Sequence, residues 1–376
     1  MDTCRICKGV LGMPVYESPR SVSVTSLCQV LEGGTRVWCC NSCGHTQTEP
    51  LPALDKFYAE DYHILTVNEQ EDQLYALCNS RKIFRTEHQV VTLLEKLDLR
   101  ANAQVLDYGC GKASTLKELC AQRSDVEPHV YDVGEQYRLF WDSFVPEENQ
   151  AVCDLPNQWV GRFDAVISFF ALEHVSDPHK FVSQVHRLLR EGGTLYFLVP
   201  NLFVNPADLL VIDHVNHFSR SSLVHLLERN GFTVRELDDG VHTGAWVGVA
   251  EKGATEASIL PPDSVCAGVV DISTYWHTFS GRVEKFEKSG KDEAAIYGSG
   301  FYGTFIYTCL KQPERITCFL DQNPHRQKQT LMGKRIFAPD ALPESIRRLY
   351  IGLNPSVACE VFDGLDLERE LEVFYP

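Results

Sequence analysis

The sequence predicts an α/β protein in three parts: a cysteine-rich module, a doubly wound parallel sheet and a second α/β unit. Two Cys-x-x-Cys pairs lie near the start of the chain, strands alternate with helices through the middle, and a second glycine-rich strand–turn–helix segment follows. At 376 residues the chain exceeds one ordinary domain. We expect domains at residues 1–65, 66–253 and 254–376.

Composition narrows the functional classes. The formal net charge of −16 argues against a nucleic-acid or anionic-membrane partner, because both require a basic surface. The start "MDTCRICKGV" does not have the pattern of a secretory leader, and no apolar run approaches the roughly 20 residues that span a bilayer. Most of the 14 cysteines stand singly within apolar segments. We therefore expect a cytoplasmic protein with reduced thiols.

The N-terminal cysteines have the spacing of a metal site. "CRIC" supplies Cys4 and Cys7, and "CCNSCGH" supplies Cys40 and Cys43 at the same two-residue spacing. Four thiolates suit one tetrahedral zinc ion and leave no open position for substrate, so we expect a structural site. Cys39 would then be a spare thiol. The alternative is a set of unligated thiols.

The middle segment predicts the sheet. A helix in "VVTLLEKLDL" precedes a buried strand that ends near Val105–Leu106, and a glycine turn leads to a helix from Ser114 to Cys120. "EPHVYDVG" predicts a strand ending at Asp132, and "RFDAVISFFALEHV" a strand that runs into a loop. "HRLLREGGTLYFLVPN" predicts a helix, a Gly-Gly turn and a strand. Ligands of such sheets bind at the carboxyl ends of the strands.

The last segment shows a similar alternation of strands and helices around a glycine turn. After the linker "GATEASILPPDS", the polar helix "STYWHTFSGRVEKFEKSGK" precedes a strand, the turn Gly298-x-Gly300-x-x-Gly303 and a helix. A further strand ends at Asp321. The pattern predicts a second nucleotide-fold half-unit. A nicotinamide cofactor with Asp321 on its ribose is one interpretation, and a ligand-free framing role is the other.

The glycine turn of the middle segment favours a cofactor without phosphate. In "DYGCGKA", Asp107 precedes Gly109 and Gly111 at a tighter spacing than the dinucleotide fingerprint. A carboxylate at this turn would repel a pyrophosphate but would suit an ammonium group. Asp132, 25 residues after Asp107, is placed to bind ribose hydroxyls. S-adenosylmethionine (SAM) has an ammonium group, a ribose and no phosphate.

The block from about Val105 to Phe232 resembles the class I SAM-dependent methyltransferases, which have a Rossmann-like doubly wound sheet. "FDAVISFFALEHV" and the closing "NGFTV" match later motifs of that family. The resemblance implies a cofactor site made of Asp107, Gly109, Gly111, Asp132, Asp154 and Phe169.

Over nearly its full length the chain resembles the zinc-containing sugar C-methyltransferases that act on nucleotide-linked 3-keto-deoxysugars. This resemblance implies that the C-terminal Rossmann-like unit helps to frame the substrate and that His217 is the base for carbon deprotonation. His214 and Asn216 stand where that family has Tyr and Glu. O- or N-methylation in natural-product or polysaccharide biosynthesis remains an alternative, as does a non-catalytic SAM-fold scaffold. We expect a monomer or a homodimer.

The stretch "VIDHVNHFSRSS" allows three interpretations. Asp213, His214 and His217 could bind a metal, could brace the loop, or could activate the acceptor for SN2 transfer, with Asp213 orienting an imidazole. Ser219 is a plausible helix N-cap. Two further candidate catalytic residues are His174, as a lid or SAM contact, and Tyr62, in a loop that would close on the substrate in the related family. Tyr62 could equally be a packed aromatic residue.

Overall fold

The structure, a computed structural model, describes residues 2–51, 71–78, 81–253, 265–365, 367 and 370–376. Its contacts separate into two compact units. The first contains Met1–Met13, Trp38–Asn205 and Asp213–Ala267, and the second contains Pro14–Val37, Pro206–Ile212 and Gly268–Pro376. The three-domain division remains a prediction.

The strands in chain order are β1 Tyr16–Glu17, β2 Val22–Val24, β3 Val30–Glu32, β4 Arg36–Cys39, β5 Thr46–Thr48, β6 Leu74–Cys78, β7 Arg81–Phe84, β8 Gln104–Tyr108, β9 Glu127–Asp132, β10 Gln150–Val152, β11 Phe163–Phe169, β12 Leu189–Pro200, β13 Asn216–His217, β14 Phe232–Asp238, β15 Ala245–Lys252, β16 Ala294–Tyr297, β17 Ile316–Leu320, β18 Thr330–Leu331, β19 Lys334–Phe337, β20 Arg348–Ile351 and β21 Glu372–Phe374. The described α-helices are α1 Arg85–Lys96, α2 Ser114–Gln122, α3 Arg138–Trp141, α4 Pro178–Leu188, α5 Arg220–Arg229, α6 Val265–Ser289, α7 Phe301–Cys309 and α8 Ala358–Asp363.

The first unit is built on a seven-stranded sheet in the order β10-β9-β8-β11-β12-β15-β14. The first five strands run parallel, which confirms the doubly wound α/β prediction. β15 pairs antiparallel with both β12 and β14, a feature that the sequence interpretation did not contain. Only residues 239–244 join β14 to β15. Because that connection is too short for a crossover helix, the two strands form a hairpin.

Both faces of this sheet are covered. Alternate residues of a strand point to opposite faces, so Leu106 and Val166 join one buried cluster while Val105 and Ile167 join the other. Helices pack on a parallel sheet in this way when its strands are continuously apolar. The carboxyl ends of β8, β9 and β11 remain the edge at which ligand-binding loops emerge.

Two local expectations have different outcomes. The N-cap prediction for Ser219 is confirmed, because its hydroxyl accepts the N–H of Ser222 and the side chain of Ser222 reciprocates. The prediction of a Gly-Gly turn before the last strand of the middle segment is wrong. Gly192 and Gly193 lie inside β12, at a register shift against β11, with Gly192 in the left-handed region at φ +69°. The pair therefore forms a bulge within the strand.

The second unit contains a six-stranded sheet in the order β18-β19-β17-β16-β20-β21. Its strands run parallel except for the β18–β19 pair. The predicted strand, glycine turn and helix appear as β16, residues 298–300 and α7. Buried residues of β16, β17 and β20 form its core. The Rossmann-like prediction for this region is confirmed.

The expectation of a spare thiol at Cys39 is wrong, because Cys39 forms a disulfide with Cys266. Consecutive side chains of an extended segment point in opposite directions, so Cys39 faces away from the thiols that include Cys40. The general expectation of reduced cysteines therefore fails at this pair. Among the described residues, no helix combines the length and apolar character needed to cross a membrane.

Candidate active site and four-cysteine centre

Four cysteine thiols meet at the predicted metal site. The Sγ atoms of Cys4, Cys7, Cys40 and Cys43 all lie within 4.8 Å of one another. Cys4 and Cys43 are 3.6 Å apart and Cys7 and Cys40 are 3.5 Å apart. Two sulfurs on one tetrahedral zinc ion would lie roughly 3.8 Å apart, given Zn–S bonds of about 2.3 Å. The thiols are therefore placed to hold a single tetrahedral ion.

The two cysteine pairs share one backbone arrangement. Lys8 and Gly44 each follow a pair, adopt a left-handed φ of +62° and +71°, and donate their N–H groups to the carbonyls of Cys4 and Cys40. The N–H of Ile6 points at Sγ of Cys4, 3.4 Å away. Such N–H groups favour a thiolate because they solvate its charge. The two turns therefore orient the four thiols towards one another.

The cysteine centre is tied to the segment that carries the candidate catalytic histidines. Arg5 donates to the carbonyls of Val215, at 2.5 Å, and Thr48, at 2.9 Å. The fully buried His45 bonds through Nε2 to Oδ1 of Asn216, 3.3 Å away. Burial lowers the pKa of His45 to about 3, so its imidazole is neutral.

The predicted glycine turn follows β8. Gly109 has a φ of +76°, and a Cβ there would lie 2.8 Å from that of Ala171. Gly111 has a φ of +50°, and a Cβ there would meet no atom of the described residues within 4 Å. Only glycine suits these two positions without strain. At Gly111 the described residues thus leave open space against the backbone, which fits a cofactor.

Two carboxylates flank this turn as expected. Oδ1 of the buried Asp107 has no hydrogen-bond partner among the residues that the structure describes. Burial, and then the charge of Asp132, raises the pKa of Asp107 well above its usual range. The ammonium group of SAM would supply both the missing donor and the opposite charge.

Asp132 holds the turn itself. Its two oxygens accept the N–H groups of Gly111, at 2.8 Å, and Gly134, at 2.9 Å. Burial raises the pKa of Asp132. Because each carboxylate oxygen has two lone-pair sites, Asp132 can also accept ribose hydroxyls.

The remaining predicted cofactor residues lie at the same edge of the sheet. Asp154 is exposed just beyond β10, and Phe169 is the partly buried last residue of β11. The Phe169 ring packs 5.9 Å from that of Tyr196. Their roles in SAM binding remain predictions.

A cluster of four titratable residues, which we call the acceptor cluster, lies on the loop after β11 and the segment before β13. Its members are Glu173, His174, Asp213 and His214. Nδ1 of His174 lies 3.2 Å from the carbonyl oxygen of Asp213 and 3.8 Å from its carboxylate. Nε2 of His174 lies 4.0 Å from Oε1 of Glu173, and the rings of His174 and His214 pack edge to face at 4.7 Å. Ala171, which touches the glycine turn, begins the same loop.

Within the stretch "VIDHVNHFSRSS", Asn216 and His217 make buried contacts with neighbouring elements. Nε2 of His217 lies 2.8 Å from Oγ1 of Thr48, and His217 is only 2% exposed. The amide nitrogen of Asn216 donates to the carbonyl of Val175 at 2.8 Å and lies 3.4 Å from that of Leu172. These contacts join β13 to β5 and to the loop after β11. Tyr62 lies outside the described residues.

Packing explains Gly298 and Gly303 in the turn of the second unit, whereas a Cβ at Gly300 would meet no atom of the described residues within 4 Å. A Cβ at Gly303 would lie 2.0 Å from the carbonyl oxygen of Gly298. Asp321 accepts the N–H and hydroxyl of Ser299 and the N–H of Asn323. The carboxylate thus joins the loop after β17 to the glycine turn of this unit, and the nicotinamide and framing interpretations both remain predictions.

A protein family described as a methyltransferase domain matches residues 81–237. The chain is 31% identical over 168 residues to the ubiquinone biosynthesis O-methyltransferase of Xanthomonas oryzae pv. oryzae strain PXO99A, covering 43% of this chain and 67% of that protein. The chain belongs to the methyltransferase domain family. The enzyme of the same name from Azotobacter vinelandii is 29% identical over 173 residues, covering 43% and 72% of the two chains.

A solved SAM-dependent methyltransferase from Mesorhizobium loti matches 44% of this methyltransferase and 97% of its own chain, with 16% identity and a TM-score of 0.37. The family match begins in β7 and ends in β14. It therefore covers the glycine turn and the acceptor cluster, and leaves the four cysteines and the second unit outside.

The acceptor cluster of the methyltransferase was only partly foreseen. The sequence singled out His174 and His214, and it assigned Asp213 the task of orienting an imidazole. It did not bring Glu173 into the site, and it did not pair Thr48 with His217. The two acid–histidine dipeptides, Glu173-His174 and Asp213-His214, were the available signal.

Proposed function

We propose that this SAM-dependent methyltransferase methylates an oxygen atom of a small-molecule acceptor, which binds at the acceptor cluster. The observation that supports this site is the contact of Ala171 with the glycine turn, because it brings the loop of Glu173 and His174 against the predicted cofactor site. The choice of oxygen rests on the two relatives named as O-methyltransferases.

Three residues would hold SAM. Asp107 would bind its ammonium group, Asp132 its ribose, and the open backbone at Gly111 would lie against it. When bound, SAM supplies an electrophilic methyl group. The protein's own contribution is alignment, exclusion of water and removal of the acceptor's proton.

We assign the removal of the acceptor's proton to His174. Its Nδ1 faces the carbonyl and the carboxylate of Asp213, so Nδ1 carries the hydrogen and Nε2 keeps a lone pair. The nearby carboxylate favours the charged imidazolium that forms when Nε2 takes a proton. A positioned base of this kind contributes roughly 10²–10⁴-fold to a rate.

A second candidate is C-methylation of a nucleotide-linked 3-keto-deoxysugar. It is favoured by the presence, in one chain, of the four-cysteine centre, the methyltransferase domain and the Rossmann-like C-terminal unit. The same base would then remove a proton from the carbon next to a ketone. In either case we propose that the cysteines hold structural zinc, because four thiolates close the coordination sphere.

The experiment supplies SAM with a ¹³C-labelled methyl group to the purified protein, together with acceptors of both classes. The acceptors are small catechols and phenols, and nucleotide-linked 3-keto-deoxysugars. Carbon–proton correlation spectra then distinguish an O-methyl from a C-methyl product. We expect O-methylation that His174→Ala slows by roughly 10²–10⁴-fold, with S-adenosylhomocysteine affinity unchanged.

His186→Ala, in α4 and outside the acceptor cluster, is the matched control and should keep its rate. A product labelled only at carbon would establish the second candidate. A protein that binds neither SAM nor S-adenosylhomocysteine would overturn both.

A further inference from the structure

We propose that Glu173, His174 and His214 form a binding site for a divalent first-row transition-metal ion, distinct from the four-cysteine centre. The ion would hold the acceptor oxygen during methyl transfer. This inference rests on the proposed function for the ion's role, whereas the site itself follows from the three side chains.

The distances fit ligands of one ion better than they fit hydrogen bonds. One ligand atom from each residue lies within 4.8 Å of the other two, and Nε2 of His174 is 4.0 Å from Oε1 of Glu173. A direct N–H···O bond would be about 2.9 Å long. Two ligands with bonds of about 2.1 Å lie roughly 3.0–4.2 Å apart around a shared ion. Binding would therefore draw the three side chains together by less than about 1 Å.

The second nitrogen of His174 provides an independent observation. A metal-bound histidine almost always directs its other ring nitrogen to a carboxylate or a backbone carbonyl, which fixes the ring and its tautomer. Nδ1 of His174 has both partners on one residue, the carbonyl of Asp213 at 3.2 Å and its carboxylate at 3.8 Å. Nε2 of the same ring lies on the side of Glu173, 4.0 Å from its Oε1.

Burial and ligand type define the class of ion. Glu173 and Asp213 are fully buried, whereas His174 and His214 keep partial exposure. A buried carboxylate is costly unless a positive charge lies near it. Two imidazoles and one carboxylate leave open positions on a metal and suit Fe²⁺, Co²⁺, Mn²⁺ or Zn²⁺ rather than Ca²⁺. An acceptor oxygen could occupy an open position.

The ion would change the task of His174. Glu173, His174 and His214 would hold the ion, and the ion would acidify an acceptor hydroxyl bound to it, whose proton would pass to water while the oxygen keeps the electron pair. A bound divalent ion lowers the pKa of a coordinated oxygen acid by many units, so no strong base is required. His174 would then act as a base only in the ion-free protein.

The test is titration of the full-length chain with Mn²⁺, followed by electron paramagnetic resonance, with a parallel Co²⁺ titration followed by visible absorption. Mn²⁺ disfavours thiolate sites, and Co²⁺ bound to thiolates has a sulfur charge-transfer band that a nitrogen–oxygen site does not show. We expect one Mn²⁺ per intact chain, a tenfold or greater loss of affinity in His214→Ala and Glu173→Gln, and no change in His186→Ala. S-adenosylhomocysteine binding and zinc content show that each variant is folded.

The outcomes separate the two proposals. If neither Mn²⁺ nor Co²⁺ binds outside the thiolates, or if both variants bind them as the intact chain does, the metal site is wrong. Methyl transfer at an undiminished rate in EDTA would remove the ion's role and leave the proposed function standing. Mn²⁺ binding at the site without methylation of any oxygen acceptor would support the site and contradict the proposed function.

Discussion

Oγ1 of Thr48 lies 2.8 Å from Nε2 of His217, and this bond links β5 to β13 inside the first unit. The resemblance to sugar C-methyltransferases assigned His217 the role of base. The contact with Thr48 gives the imidazole a structural role as well, and the two roles predict different losses on mutation.

We expect His217→Ala to lower the free energy of unfolding by about 1–3 kcal/mol, because it leaves Thr48 with a buried, unpaired hydroxyl. Thr48→Val should cost less, since it keeps the volume of the side chain, although Nε2 of His217 loses this bond. Chemical denaturation and steady-state methyl transfer measure the two effects. If His217→Ala unfolds normally but loses 10²–10⁴-fold in turnover, His217 is the base and His174 is not.

Cofactor binding tests the two acids of the glycine turn. Calorimetry with S-adenosylhomocysteine should show tight binding to the intact protein and at least a tenfold loss in Asp132→Ala, which removes both the ribose acceptor and the bond to Gly111. Asp107→Asn should weaken binding through the ammonium end. NADH should bind far more weakly than SAM, and the reverse order would revive the nicotinamide interpretation.

Zinc analysis tests the cysteine centre. We expect one zinc ion per chain at the thiolates, lost in a Cys40→Ala/Cys43→Ala variant together with several degrees of melting temperature. Cys153→Ala, which removes an exposed thiol outside the centre, is the matched control. Zinc bound equally by the double variant would place the ion elsewhere.

Acid should destabilise the first unit through His129. This imidazole is fully buried between Trp159 and Phe163, and burial lowers its pKa to about 4. A depressed histidine pKa means that the unfolded state binds the proton first, so stability is complete above about pH 6.5 and falls as the pH drops towards 4. The loss is at most about 3 kcal/mol. His129→Phe, which keeps the ring, should flatten this part of the curve in denaturation experiments, and an unchanged slope would contradict the assignment.

Local patterns predicted what short stretches of chain determine. The strand before Asp107, the helix after Gly111 and the strand ending at Asp132 were all predicted, since hydrophobic period and glycine placement act over a few residues. The thiol pairs were predicted for the same reason. The antiparallel end of the sheet was not, because it depends on which strand β15 lies beside.

The acceptor cluster and the disulfide depend on contacts between distant parts of the chain. His174 meets Asp213 across 39 residues, and Cys39 meets Cys266 across 227. The residues around each of these side chains do not indicate which distant residue it contacts. The sequence could list the reactive side chains at this edge, but their pairing required the fold.

The amide of Asn216 bonds on one side to His45, two residues after Cys43 of the four-cysteine centre, and on the other to the loop at Val175. The bonds of this one side chain therefore connect the segment that holds the four cysteines to the loop after β11. A chimaera that took residues 1–51 from one relative and the remainder from another would have to preserve the match between positions 45 and 216. Recombination of these enzymes should therefore tolerate exchange of whole first units better than exchange of the cysteine module alone.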